Sequence, residues 1–314
     1  MGEMPVRISM GSWSFAFGPY AAEPKPLEEI ARRLARAGYD GIELNGFPPH
    51  VTLERYAARA ERAALKSLLD GLGLGVSGYS ADLSAFNPIL EENRQAYLDR
   101  FRRLVELCHD LGSPMIRVDT GTAPGSLTDR EYHAAFHHLA DLWRECADAA
   151  REARVVMAWE FEPGFIFNKP SEVLGLYELV GHPWFRILFD TAHAYMCSVV
   201  GARQHGPRET LEGGVAEFIE KLGPAIGAVH VIDSDGTLYG DDTSHHVPIG
   251  QGRVPWRFVA PALAALPRIE WWCADLCFYP GAWEMVEDNL RAAREIAALA
   301  QPPSSSSAPR PGGS

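Results

Sequence analysis

Eight short apolar runs recur along this 314-residue chain, each followed by a stretch whose apolar residues fall at three- and four-residue steps. That alternation constrains the fold more than any other feature. Short apolar runs suit strands buried on both faces, and the longer period suits helices with one buried stripe. The predicted strands are Arg7–Ser12, Gly41–Leu44, Gly75–Tyr79, Met115–Val118, Val155–Phe161, Phe185–Phe189, Ile226–Val231 and Ile269–Asp275. They begin roughly 30 to 43 residues apart, enough for one crossover helix between each parallel pair. Helical spacing is plainest in Leu27-Ile30-Leu34, in Leu98-Phe101-Val105, over Arg130 to Glu152, and from about Trp283 to Leu299. Gly38 and Gly112 stand where left-handed helix caps are needed, and Pro170 suits a first helical turn.

Eight strand–helix units predict an α/β protein with a closed (β/α)8 TIM barrel as a single catalytic domain over residues 1–300. An open doubly wound sheet would more often carry a glycine-rich phosphate loop after its first strand. Here that strand runs into Trp13-Ser14-Phe15. The ending, QPPSSSSAPRPGGS over residues 301–314, has too little apolar surface to offset its ordering entropy and is predicted to be a disordered tail.

Forty-one acidic residues against 29 basic ones give a formal charge of −12, which repels phosphate backbones and anionic lipid. Nucleic acid and membrane are therefore not expected partners. The five cysteines, Cys108, Cys146, Cys197, Cys273 and Cys277, are odd in number and scattered, so reduced buried thiols are expected rather than a disulfide framework. No apolar leader precedes Arg7 and no window of about 20 apolar residues occurs, so a cytoplasmic location is expected.

In such barrels the site is built at the C-terminal strand ends. The polar residues there are Trp13 after the first strand, Glu43 at the second, Tyr79 at the third, and Arg117 with Asp119 at the fourth. The fifth ends in Glu160 and Glu162, the sixth in Asp190 with His193, the seventh in His230 and the eighth in Asp275. A single polar strand end is commonly a helix cap. Carboxylates and an imidazole closing four successive strands form a mixed oxygen and nitrogen ligand set suited to Mn²⁺, Co²⁺ or Mg²⁺. Alternation puts Glu160 and Glu162 on one side of their strand, so spacing alone leaves either as the ligand. Asp233 and Asp235 read as turn residues, one of which could bond a ligand histidine, and Thr243–Gly252 reads as a loop, either on the surface or lining the mouth of the barrel. Trp13, Phe15, Tyr79, Trp159 and Phe278 could offer apolar faces to a ligand ring, although each taken singly reads as core packing first.

The segments WEFEPGF, LFDTAH, AVHVIDSDG, HHVPIGQG and WWCADLCF resemble the xylose isomerase-like TIM barrel superfamily of sugar isomerases and epimerases, a likeness running from GSWSF to about Leu299. The resemblance implies a divalent metal, Mn²⁺ foremost, held by Glu160, Asp190, His230 and Asp275. It selects Glu160 over Glu162 because the residue before F-x-P is the ligand in related patterns. It implies a substrate-facing or supporting role for His193 and substrate contacts from Trp13, Glu43, Tyr79, Arg117, Asp119 and Phe278. The closing acid is often Glu in the epimerases and is Asp275 here, which departs from a two-glutamate acid/base scheme.

Within that superfamily, WSFAFGPY, GYDGIELNGFPPH, SGYSAD, IRVDTG, WEFEPGFIFNKPSEV and HVIDSDGTLYGDDTS resemble the α subunit of bacterial C-glycoside deglycosidases. This likeness implies lyase chemistry on 3-oxo-glycosides, with a small β subunit as partner and His193 or His246 as base. Glu160 or Asp275 would take that role in epimerase-like chemistry. Sugar isomerisation or epimerisation, phosphorylated substrates included, is the alternative, and a non-catalytic sugar-binding barrel a further one. A barrel nuclease related to endonuclease IV would need more ligand histidines and a basic groove, against the charge of −12.

Overall fold

A computed structural model describes residues 6–266 and 269–299, so the segment 301–314 lies outside the described residues. In chain order the strands are β1 (Arg7–Gly11), β2 (Gly41–Asn45), β3 (Gly75–Ser80), β4 (Met115–Val118), β5 (Val156–Glu160), β6 (Phe185–Asp190) and β7 (Ile226–Val231). A two-stranded hairpin of β8 (Asp233–Tyr239) and β9 (Thr243–Val247) follows, then β10 (Trp271–Ala274). All but the hairpin form a closed parallel barrel in the order β1-β10-β7-β6-β5-β4-β3-β2. The hairpin corrects the sequence reading of Asp233 and Asp235 as a turn and of Thr243–Val247 as a loop, while residues 248–252 do form a loop. Antiparallel pairing of Ser234 with His246 and of Leu238 with Ser244 decides it.

The outer layer is α1 (Leu27–Ala37), α2 (Arg59–Gly71), α3 (Arg94–Leu111), α4 (Asp129–Ala153), α5 (Pro170–Val180), α6 (Thr191–Tyr195), α7 (Gly214–Leu222), α8 (Trp256–Ala264) and α9 (Val286–Leu299). Local chemistry sets their ends. Gly38 closes α1 at φ 92° and Gly112 closes α3 at φ 71°, the left-handed region where a Cβ is costly. Thr128 opens α4 with a reciprocal cap: Glu131 N–H donates to the Thr128 hydroxyl, and Thr128 N–H donates to the Glu131 carboxylate at 2.9 Å. None of the described helices is long and apolar enough to cross a membrane.

Strand alternation sorts side chains between two apolar clusters. Met157, Trp159, Ile187, Phe189, Val229 and Val231 join the large cluster between sheet and helices. Met115, Ala158 and Leu188 form a small separate one with Ala228, on the opposite face of the sheet and inside the barrel. Trp143 of α4 is wholly buried, with its ring centroid 5.4 Å from that of Trp159 and 5.5 Å from that of Phe185. Trp143→Ala should cost about 3–5 kcal/mol of unfolding free energy, measured by urea titration. A loss under about 1 kcal/mol would show that the helix–sheet layer collapses into the space.

Candidate functional site

The residues one strand alternation beyond the barrel-filling positions are polar. Two past Ala158, Leu188, Ala228 and Cys273 come Glu160, Asp190, His230 and Asp275. Register sets Asp190 opposite His230, with Glu160 opposite Leu188 and His230 opposite Cys273, so each of the four lies within one strand alternation of the next. One ligand-type atom from each of the four lies within 4.8 Å of all the others, and all four residues are buried. Glu160, His230 and Asp275 line a cavity of about 220 Å³ at the C-terminal end of the barrel, with Trp13, Phe17, Phe47, Phe165 and Phe278 on its walls.

Each of the four is half committed. Asp190 Oδ1 accepts from the Ala192 and His193 N–H groups at 2.8 Å each, capping α6, while its Oδ2 has no partner. Asp275 Oδ1 accepts from Trp13 Nε1 and from Cys277 N–H, both at 2.8 Å. Glu160 Oε2 accepts from Arg117 Nε at 2.6 Å, and its Oε1 is unpartnered. His230 turns Nε2 to both oxygens of Glu43 at 3.2 Å and points Nδ1 at Glu160 Oε1, 3.0 Å away but misaligned for a hydrogen bond. Buried polar atoms are nearly always satisfied, so unpartnered atoms gathered at one point mark a place for a cation. Three carboxylates and one imidazole suit a divalent ion with a preference for oxygen.

Arg117 holds the surrounding charge. It donates to Asp119, to Glu160, and to Glu162 Oε1 at 3.3 Å. Burial acts to raise the Glu160 carboxyl, and Arg117 followed by His230 outweighs it and holds the group well below the usual carboxylate range. Glu162 has a weaker share of the guanidinium, and burial pushes it up to about 8. Its other oxygen accepts from the Thr243 hydroxyl. Burial drives His193 down to about 3, so its ring is neutral. His193 Nδ1 is hydrogen-bonded to Ser244 Oγ at 2.8 Å, and its Nε2 lies 4.0 Å from Glu162. Burial disfavours a charge on His246 as well, but Asp190 and Asp275 outweigh it and lift that ring to about 9. His246 Nδ1 lies 3.2 Å from the Asp275 carbonyl, which can only accept, so this nitrogen carries a proton.

The sequence-derived positions divide accordingly. Trp13, Arg117, Asp119, Glu160, His193, His230, His246, Asp275 and Phe278 all line the cavity. Tyr79 does not: its ring is fully buried among the helices and its hydroxyl donates to the Val51 carbonyl at 2.8 Å. Strand alternation gives Ser80 the cavity position instead. Phe15 and Trp159 are also core residues. Glu43 does not touch the cavity; it sits behind His230, where a carboxylate fixes the orientation of the ring. Asp233 and Asp235 bond no ligand histidine: Asp233 caps backbone N–H groups and Asp235 pairs with His245 at 2.8 Å. Thr243 and Ser244 fall in the tract that the sequence leaves open as a mouth-lining loop, but their individual contacts exist only once the hairpin folds over the barrel. Phe17, Phe47 and Phe165 carried no signal beyond ordinary apolar character.

A family described as the xylose isomerase-like TIM barrel matches residues 31–300, and the chain belongs to that family. It is similar to fructoselysine 3-epimerase of Shigella flexneri, 25% identical over 240 residues, which cover 74% of this chain and 78% of that protein. It is also similar to L-ribulose-5-phosphate 3-epimerase of Shigella flexneri serotype 5b, 23% identical over 227 residues, 71% of this chain and 72% of the relative. Among solved structures, the IolI protein with a bound zinc atom shares the fold at a TM-score of 0.70 and 17% identity, covering 94% of this chain and 98% of that one.

Replacing Arg117 tests the charge arrangement. In chelator-treated protein, Arg117→Met should cost about 3–5 kcal/mol near neutral pH, because it strands buried carboxylates without a counter-charge. Those carboxyls would then titrate above their unfolded values, so stability returns as pH falls through the raised values. The deficit in urea midpoint should therefore shrink between about pH 7.5 and about pH 5.5. An equal deficit at both would assign the loss to packing.

Proposed function

We propose that this chain is a divalent-metal-dependent enzyme that moves a proton on carbon next to a sugar carbonyl. The observation that carries this reading is the convergence of Glu160 Oε1, Asp190 Oδ2 and His230 Nδ1, buried and unpartnered, beside the Asp275 carboxylate. These four residues would hold the ion, with Mn²⁺ first and Co²⁺ or Mg²⁺ as alternatives. Such an ion, when bound, polarises carbonyl and hydroxyl oxygens of the sugar and acidifies the neighbouring C–H.

The chain's own groups supply the rest. Arg117 and Asp119 offer hydrogen bonds to sugar hydroxyls, and Trp13 and Phe278 offer apolar faces. A ring as weakly basic as His193 is better suited to hydrogen-bond a substrate hydroxyl through Nε2 than to remove a carbon-bound proton. His246, on the hairpin beside Asp275, is the second imidazole candidate for proton transfer, and Glu160 is the carboxylate alternative. The aromatic wall excludes water from the reacting carbon. Free thiols at all five cysteines fit a reducing compartment, and a cytoplasmic location is part of this reading.

The names of the relatives support epimerisation beside the carbonyl. The second reading is elimination from a 3-oxo-glycoside by a C-glycoside deglycosidase α subunit, working with a small β subunit. Asp275 favours it: the closing acid is one methylene shorter than glutamate, and its Oδ1 is taken by Trp13 and Cys277. In that reaction a carbonyl at C3 acidifies the C2 proton, the base takes it, and the electron pair expels the C1 substituent.

Two measurements test these readings. Glu160→Gln should abolish metal uptake in elemental analysis, whereas Glu162→Gln should keep most of it. The opposite ranking would move the ligand set by two residues. Metal-loaded protein in D2O should place deuterium at an inverted carbon of a ketose if it is an epimerase. Release of the C1 substituent from 3-oxo-glycosides, with plain glycosides untouched, would select the lyase. No exchange and no release with either substrate class would reject both.

A further inference from the structure

Below the four residues at the mouth, the barrel holds a second group of ligand-type side chains. Glu43, His230 and Cys273 each place one such atom within 4.8 Å of the other two, and all three are buried. Among the described residues, no other group of this kind includes sulfur. Strand register assembles it: Cys273 lies opposite His230 on one side and Ser9 on the other, and Glu43 lies opposite Gly11. Two observations point to a ligand here. The first is spacing. His230 Nε2 stands 3.2 Å from both Glu43 oxygens. That exceeds the roughly 2.8 Å of a charge-assisted hydrogen bond. It is close to the separation of about 3.3 Å between a nitrogen and an oxygen that share one tetrahedral ion at about 2.0–2.1 Å each. The second is a pair of hydroxyls. Ser9 Oγ and Ser77 Oγ are buried without partners, which is rare for polar atoms. Ser77 opens on a cavity of about 180 Å³ that Glu43, Met115, Gly227, Trp271 and Cys273 also line. Met115, Gly227 and Trp271 stand at the starts of their strands, so the cavity is an approach from the N-terminal end of the barrel.

A thiolate and a carboxylate together neutralise a divalent ion, and an imidazole completes a donor set that favours thiophilic metals such as Zn²⁺ or Cd²⁺. The oxygen-rich group at the mouth has the other preference. Both groups use His230, and a neutral imidazole carries a single N–H. An ion held with Glu160, Asp190 and Asp275 takes Nδ1 and requires the ring proton on Nε2, where Glu43 accepts it. An ion held with Glu43 and Cys273 takes Nε2 and requires the ring proton on Nδ1, which faces Glu160 Oε1 at 3.0 Å. The thiol of Cys273 gives its proton to solvent when the sulfur binds. We infer that Glu43, His230 and Cys273 form an inhibitory site for a thiophilic divalent ion, and that filling it excludes the ion at the mouth through the one proton of His230. The exclusion rests on the metal-dependent reading above, whereas the thiophilic site stands independently of it.

Cd²⁺ is the probe, added to chelator-treated protein and followed by the ultraviolet charge-transfer absorption of a cadmium–thiolate bond. Wild-type protein should show the band, Cys277→Ser should keep it and Cys273→Ala should lose it. No band in wild-type protein, or a band that disappears with Cys277 instead, would overturn the site. Glu43→Gln keeps the thiol and should weaken Cd²⁺ binding by about tenfold or more. That variant decides the matter if Cys273→Ala does not fold, and an unchanged affinity would count against the site. Preloading with Mn²⁺ should lower the apparent Cd²⁺ affinity by about tenfold or more. Equal Cd²⁺ affinity with and without bound Mn²⁺ would overturn the exclusion. Glu160→Gln, which lacks a ligand of the upper ion, should bind Cd²⁺ with no Mn²⁺ penalty, and a full penalty there would also overturn it. If wild-type protein takes up no Mn²⁺, the metal-dependent reading fails and the exclusion with it, while the Cd²⁺ band still judges the thiophilic site.

Discussion

Closure of the sheet is the constraint on which the other features depend. Hydrogen bonds between β1 and β10, with Ser9 opposite Cys273, remove both edges and force every strand to point alternate side chains at a common axis. The interior is narrow, and Met115, Ala158 and Leu188 with Ala228 supply its apolar filling. Continuing the same alternation by one step carries the chain beyond the packed layer, where polar side chains meet at the open end. An open sheet with the same strands would spread these residues along an edge.

Convergence creates an electrostatic problem that the structure resolves unevenly. Glu43, Asp119, Glu160, Glu162, Asp190 and Asp275 are all drawn toward one end of the barrel, and buried charge is tolerated only with partners. Arg117 serves three of them, backbone N–H groups serve Asp190 and Asp275, and His230 bridges Glu43 and Glu160. These contacts fix one side of Glu160, Asp190 and Asp275 and leave the other side directed at a common point. The hairpin then adds Thr243, Ser244 and His246 as a polar cover. Phe278 adds an aromatic wall at φ 63°, a backbone conformation that a non-glycine residue keeps only when its surroundings hold it. The Phe278 ring is so held, stacked on Tyr239 of the hairpin at 4.6 Å.

Much of this was legible in the residues themselves. Period-two and three-to-four apolar patterns, with Gly38, Gly112 and Pro170 as punctuation, place the barrel strands and main helices to within a few residues, because those signals are local. The polar strand ends Glu160, Asp190, His230 and Asp275 could be read out as a group for the same reason: strand position and parity are properties of the segment. Tyr79 has the outward parity of β3, where Ser80 takes the cavity position, whereas Glu43 points inward but sits behind His230, a depth set by how neighbouring strands register, with β2 shifting against β3 between Ile42 and Glu43.

The sequence by itself determined the alternating architecture, the identity of the residues ending each strand, and the acidic balance of the chain. Tertiary structure alone decided which atoms of those residues remain free. It set Glu160 against Arg117 and His230, and Glu162 against Thr243. It also brought His246 over the barrel from a hairpin and enclosed Asp233 in N–H groups from residues up to Trp256. The physical reason is that a carboxylate or imidazole acquires its role from neighbours distant in sequence. Desolvation and pairing act on positions in space, and no local pattern encodes them.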